Sequence, residues 1–188
     1  MFDVDGTLRG RDGEVSSAVR GAIALLQESG CRVGLATGRP LFSAAKLIDS
    51  LGIDAPSILM SGALMVAPDL TPLAANPLTT DEVLAIVEGC RALGIDFELY
   101  SDDRYFAERD SELLRVHWTY YDAPAEQVQD LGSLVAGFPG VVRVVKAHLI
   151  LNEEDEAGAL WQPRPRPPGV RVSVGPGAAH PAILFVDV

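Results

Sequence analysis

The strongest constraint on this chain is a strict alternation of short apolar runs and helix-like stretches over its first 60 residues. Residues 1–4 predict a short strand that runs into a loop at residues 5–7. Ser16 or Ser17 can cap a helix whose apolar stripe is Val19, Ala22, Ile23 and Leu26, with Gly30 as its stop. Residues 32–36 predict a second strand, residues 37–40 a loop, residues 41–51 a second helix closed by Gly52, and residues 57–60 a third strand. Strands separated by single helices at this spacing pair in parallel, because each crossover returns the chain to the same edge.

After Ser61-Gly62 the pattern changes. Residues 63–66 predict a strand and residues 80–93 a helix capped by Thr79 or Thr80, with Val83, Ile86 and Val87 on its apolar face. Residues 95–100 and 105–108 predict a hairpin across residues 101–104. Residues 111–117, 125–134 and 153–160 predict helices, residues 162–169 a loop, and residues 141–151, 171–174 and 182–188 strands. Neighbouring strands on short turns predict an antiparallel sheet with helices on one face. The predicted organisation is a core segment at residues 1–60, an α+β domain at 61–181 and a returning strand at 182–188.

Composition limits the partners. Hydrophobic residues make up 48% of the 188 residues, enough for a real core, and the formal net charge is -11. An acidic surface argues against general nucleic-acid binding, although a local site for a small anion is compatible with it. Cys31 and Cys90 lack the spacing of a metal or redox motif, and free thiols are expected. No apolar run reaches the roughly 18 residues of a membrane span, and no signal peptide is visible at the start, so the cytoplasm is the expected location.

The richest segment is Asp3-Val4-Asp5-Gly6-Thr7. Residues i and i+2 of an extended chain project to one side, which aims both carboxylates at the crevice where open α/β sheets bind ligands. Gly6 lets the backbone turn sharply near an anion. Two close carboxylates repel, and a hard divalent cation such as Mg²⁺ relieves that repulsion. One carboxylate can then attack phosphorus while the other moves a proton. Read alone, the segment also fits a plain turn or a calcium loop closed by Glu14, although Leu8 suits that loop poorly. Thr37-Gly38-Arg39-Pro40 follows the second predicted strand. Its hydroxyl, glycine and helix amino terminus favour a phosphate oxygen, and Arg39 adds a cation; alone, it also reads as an ordinary helix start.

Phe2 to Leu8 resembles the first motif of the haloacid dehalogenase (HAD) superfamily, and Thr37-Gly38-Arg39 resembles its second motif in the Cof-type branch. Ser61-Gly62-Ala63 resembles the Asn-Gly-Ala segment at which that branch passes into its cap, with Ser in place of Asn. The resemblance implies an α/β fold: a partial doubly wound parallel-sheet core with an inserted α+β cap that selects substrate. It implies a Mg²⁺-dependent phosphomonoester hydrolase acting on a small phosphorylated metabolite. In that reading Asp3 forms the aspartyl-phosphate and Asp5 is general acid, then base. Asp3 and the Asp5 backbone carbonyl hold Mg²⁺, and Gly6, Thr37, Gly38 and Arg39 hold the phosphoryl oxygens. A phosphomutase of a sugar phosphate uses the same chemistry, and a binding module without turnover is the non-enzymatic alternative.

The family also uses a lysine and a Gly-Asp-x-x-Asn-Asp segment after the cap, and no such segment occurs in these residues. Only Met1 and Phe2 precede Asp3, whereas a central strand usually runs to about five residues. The expectation is a sequence trimmed at both ends, or a natural short form, that lacks turnover or aggregates alone. Among cap residues, the cluster from His117 to Tyr121 could stack on a sugar or base but is expected in the cap core or at a helix end, and Lys146 and His148 could face a substrate but are expected on a solvated face, while His180 is expected in a turn and Arg164 with Arg166 in a solvated loop.

Overall fold

The computed structural model describes residues 1–10, 13–121, 123–137, 143–152, 173–176 and 183–187, the last two stretches and Asn152 as backbone. The chain forms two compact units, Met1–Asn76 and Pro77–Val188.

In the first unit, parallel pairing runs through single bridges, Phe2 to Leu35 and Ala36 to Ile58. The hydrogen bonds are those of a parallel ladder. The Phe2 N–H donates to the Gly34 carbonyl at 2.9 Å, and the Ala36 N–H donates to the Phe2 carbonyl at 2.8 Å. The Ile58 N–H donates to Leu35 at 2.8 Å, and the Thr37 N–H donates to Ile58 at 3.0 Å. The expected strands at 1–4 and 32–36 are thus reduced to bridges, because the chain curls away immediately after Asp3. Strand β1 (Ser57–Leu59) then pairs antiparallel with β2 (Leu64–Val66), and β2 with β3 (Pro72–Ala75). Strand β3, unforeseen in the sequence, opens on a proline and is mostly exposed, so it carries little apolar signal. Proline suits this place because an edge strand leaves one row of its N–H groups unused.

Helix α1 (Ser17–Glu28) is capped by Ser16, whose hydroxyl accepts from the Val19 N–H at 3.3 Å. Of its expected apolar stripe only Ile23 is buried; Leu26 and its neighbour Leu25 are exposed. Helix α2 (Leu41–Ser50) starts after Pro40 and buries Ala44 and Ile48. Gly34 is a packing requirement: a Cβ there would lie 2.3 Å from the Pro56 carbonyl oxygen.

The second unit is a six-stranded sheet. Its strands are β4 (Asp96–Tyr100), β5 (Tyr105–Ala107), β6 (Glu126–Gln127), β7 (Lys146–Asn152), β8 (Ser173–Pro176) and β9 (Ile183–Asp187). They lie in the order β6-β5-β4-β7-β9-β8, antiparallel except for β5 with β6. Helix α3 (Thr80–Leu93) has a full capping box between Thr79 and Glu82 and ends on Gly94 in the left-handed region. It packs with α5 (Leu131–Gly137) on one face of the sheet, against Phe97, Leu99, Ala147, Leu149 and Leu151.

Three expectations for this unit are corrected. Residues 125–134 are not one helix: Glu126–Gln127 is β6, and α5 begins only at Leu131. Asp130 is the cause, since its carboxylate accepts from the Ser133 N–H at 3.2 Å and from the Ser133 hydroxyl at 2.7 Å, which caps a helix there. The helices also do not all lie on one face. Residues alternate across a strand, so Glu98 and Tyr100 project opposite to Phe97 and Leu99, and α4 (Glu112–Trp118) meets that second face through His117. Lys146 and His148, expected on a solvated face, are accordingly buried. The expected elements at 153–160 and 162–169, together with Arg164, Arg166 and His180, lie outside the described residues.

Candidate functional site

The first unit builds its site around one carbonyl. The Val4 carbonyl accepts from the N–H groups of Thr7 at 3.3 Å, Leu8 at 3.0 Å and Arg9 at 2.8 Å. The loop therefore wraps around a buried Val4, and the flanking Asp3 and Asp5 are exposed. Gly6 makes the turn possible at φ +82°, a backbone region open mainly to glycine. Its N–H closes the loop on the Arg9 carbonyl at 3.0 Å. The two carboxylates thus leave the carboxyl end of the Phe2 segment, which is paired to Leu35 two residues before Thr37.

Thr37 is buried, and its hydroxyl accepts from the Arg39 N–H at 3.2 Å. This local turn orients the loop that leads to α2. The Arg39 guanidinium spans three oxygens. Its Nε donates to Asp5 Oδ2 at 2.7 Å, its Nη2 to Asp5 Oδ1 at 2.8 Å, and its Nη1 to Ser43 Oγ at 2.7 Å. Arg39 and Asp5 are therefore brought together in a fork, the geometry in which arginine is most selective for a carboxylate. The Asp3 carboxylate makes no hydrogen bond or ion pair among the described residues.

Ser61 joins the same place. The Met60 N–H donates to the Arg39 carbonyl at 3.1 Å and the Ser61 N–H to the Thr37 carbonyl at 3.3 Å. Met60 and Ser61 both hold positive φ, 52° and 56°, a strained choice for residues with side chains. A Cβ on Gly38 would stand 3.3 Å from Ser61 Oγ, so glycine keeps the serine close. Ser43 carries no sequence signal for this role, and Ser61 shows only in its place within the Ser-Gly-Ala segment.

Residues 1–132 match the haloacid dehalogenase-like hydrolase family. The chain belongs to this family. Among curated proteins, this HAD chain is 28% identical over 119 residues to an HMP-PP phosphatase of Yersinia pestis (strain Pestoides F), a stretch covering 63% of the chain and 44% of the relative. It is 26% identical over 113 residues to an HMP-PP phosphatase of Cronobacter sakazakii, covering 60% of the chain and 42% of that relative. The match therefore spans less than half the length of these curated relatives. A haloacid dehalogenase-like hydrolase from B. subtilis superposes with a TM-score of 0.80 at 16% identity, over 98% of this chain and 70% of that one. A protein from Thermotoga maritima superposes at 0.75 with 24% identity, over 98% and 67%. A HAD subclass IIB sugar phosphatase does so at 0.73 with 21% identity, over 98% and 67%. The α/β fold expected from the first two motifs is the HAD fold. Among the described residues no helix is long and apolar enough to cross a membrane.

The second unit of this HAD chain holds a polar cluster between β4, β7 and α4. Glu98 is fully buried, and its Oε2 accepts from the Tyr100 hydroxyl at 2.5 Å. Its Oε1 accepts from Trp118 Nε1 at 2.7 Å, and His117 Nδ1 stands 2.8 Å from Oε2. Burial, followed by the Glu98 charge, pushes the Tyr100 phenol well above its usual range, so it remains a proton donor. Burial, reinforced by His117 and Lys146, holds His148 well below the usual histidine range. Tyr100 stacks on Tyr105 at 5.1 Å, and Tyr121 meets both rings edge-on. Of the cluster from His117 to Tyr121, only His117 is buried; Trp118, Tyr120 and Tyr121 are half-buried and Thr119 is exposed, at and beyond the end of α4.

Proposed function

We propose that the protein carrying this chain hydrolyses a phosphomonoester on a small phosphorylated metabolite through an aspartyl-phosphate at Asp3. The observation that carries this reading is the loop wound on the Val4 carbonyl, which presents Asp3 and Asp5 at the end of a parallel-paired segment. A carboxylate without competing protein partners is available both as a nucleophile and as a hard oxygen ligand, and Asp3 meets that description among the described residues. Asp3 with the backbone carbonyl of Asp5 would hold Mg²⁺. Bound there, Mg²⁺ would offset the charge repulsion between Asp3 and the phosphoryl group.

An Asp3 carboxylate oxygen forms the bond to phosphorus as the bond to the leaving oxygen breaks. Asp5 delivers its proton to that leaving oxygen. Water then attacks phosphorus, Asp5 takes up a proton from it, and the bond between phosphorus and the Asp3 oxygen breaks to release inorganic phosphate. Thr37, with the amides near Gly6 and Gly38, faces the phosphoryl oxygens, and Arg39 acts on the same charge directly or through Asp5. The similarity to an HMP-PP phosphatase and a sugar phosphatase favours a small organic phosphate as substrate.

The test is phosphate release from a panel of phosphorylated metabolites by the protein that carries this chain, with and without Asp3→Asn. The variant is expected to fold and to lose turnover almost entirely. Normal activity in Asp3→Asn would remove Asp3 from the mechanism.

A further inference from the structure

We propose that Glu98, His117 and His148 form a binding site for a zinc-type divalent cation inside the second unit. The three residues come from β4, α4 and β7, and each is nearly or fully buried. One oxygen of Glu98 and one ring nitrogen from each histidine lie within 4.8 Å of one another. Tetrahedral ligands of zinc stand about 3.3 Å apart, given metal–nitrogen bonds of about 2.0–2.1 Å. Small rotations of the two imidazoles would close the set. The rings are already near-perpendicular, at 89° with centroids 4.6 Å apart, so they offer nitrogen edges from different directions.

The donor types choose the cation. Mg²⁺ and Ca²⁺ depend on several oxygen ligands, and this site offers one carboxylate and two imidazoles. Lys146 is buried on the same face, its Nζ 5.8 Å from the Tyr100 ring centroid, and its ammonium would further disfavour a cation held by charge alone. A cation of the zinc type draws instead on imidazole nitrogen. Metal-binding carboxylates are usually oriented by outer hydrogen bonds. Glu98 has two, from Trp118 at 2.7 Å and Tyr100 at 2.5 Å. The site would also answer a structural need. Helix α4 is only seven residues long, and a metal bridging His117 to two strands would pin it to the sheet.

The experiment measures Zn²⁺ in the whole chain produced with zinc and dialysed against a weak chelator. It uses an Asp3→Asn background so that the Asp3 carboxylate does not contribute a ligand. One Zn²⁺ per chain is expected, and Co²⁺ in its place should give the intense visible bands of a tetrahedral site. His148→Gln and Glu98→Gln should each weaken Zn²⁺ binding by more than about 100-fold, and Tyr100→Phe, which removes only an orienting bond, by about 10-fold to 100-fold. No retained Zn²⁺ in the background protein overturns the proposal. So does unchanged affinity in the ligand variants. If the ligand variants fail to fold, Tyr100→Phe decides: weakened binding supports the site, and unchanged binding overturns it.

Discussion

Arg39 grips Asp5 with two parallel hydrogen bonds, Nε to Oδ2 at 2.7 Å and Nη2 to Oδ1 at 2.8 Å, while its third nitrogen rests on Ser43. Asp5 is 41% exposed in this pair, so the pair adds less than about 1 kcal/mol to stability. Its larger effect is on direction: it fixes where the Asp5 carboxylate points.

Replacement of Arg39 should therefore affect turnover more than folding. In the active protein, Arg39→Ala is expected to lower kcat by about 10-fold to 100-fold, in the range of a misplaced acid–base group. Its melting temperature should hardly change. Arg39→Lys should recover little, because an ammonium cannot make the fork. Steady-state kinetics beside thermal unfolding separate the two effects. A fall in stability with kcat unchanged would contradict this role.

Two glycines should respond in opposite ways to alanine. At Gly34 the added Cβ would lie 2.3 Å from the Pro56 carbonyl oxygen, a backbone atom that cannot move aside cheaply. Gly34→Ala is expected to cost about 3 kcal/mol or more, since both segments must shift. Gly21 lies inside α1, exposed, with nothing within 4 Å of its Cβ position. Gly21→Ala should stabilise by about 0.5–1 kcal/mol through helix propensity. Urea denaturation of both variants measures the contrast.

The two thiols should differ sharply in reactivity. Cys31 is exposed. Burial, with the Glu108 charge adding to it, pushes the buried Cys90 thiol up to about 12. Thiolate is the reactive form, so a thiol reagent at pH 8 should label one cysteine per folded chain and two after denaturation. Rapid labelling of both in the folded chain would mean that α3 does not hold Cys90 as described.

His148 makes the second unit sensitive to mild acid. The folded chain holds this imidazole neutral well below its usual range, whereas the unfolded chain protonates it near 6.5. Above about pH 6.5 neither state takes up the proton, and stability does not depend on it. Below that pH only the unfolded chain gains the proton, so stability falls as pH falls, by about 1.4 kcal/mol per unit until the folded pKa is reached. His148→Gln should flatten this slope in denaturation curves measured with chelator between about pH 6.5 and 4.5.

Caps and tight turns were legible in the linear sequence. Ser16 capping α1, the Thr79–Glu82 box of α3, Gly94 at its end and the turn through Gly6 follow from interactions within a few residues, which linear spacing records directly. The pairing of Asp3 with Asp5 around Val4 was legible for the same reason. Asp130 shows where local reading stops: residues 125–134 look helical, yet β6 docks on β5 and the helix waits for the Asp130 cap. Tertiary structure alone decided that Arg39 reaches Asp5, 34 residues away, and that Ser61 lies beside Gly38. It also brings His117 and His148 to Glu98 in a buried cluster. The alternation of β7 put Lys146 and His148 on one face, as the sequence predicts for any strand. Whether that face met water or α4 depended on the packing of α4, which no pattern within β7 can express.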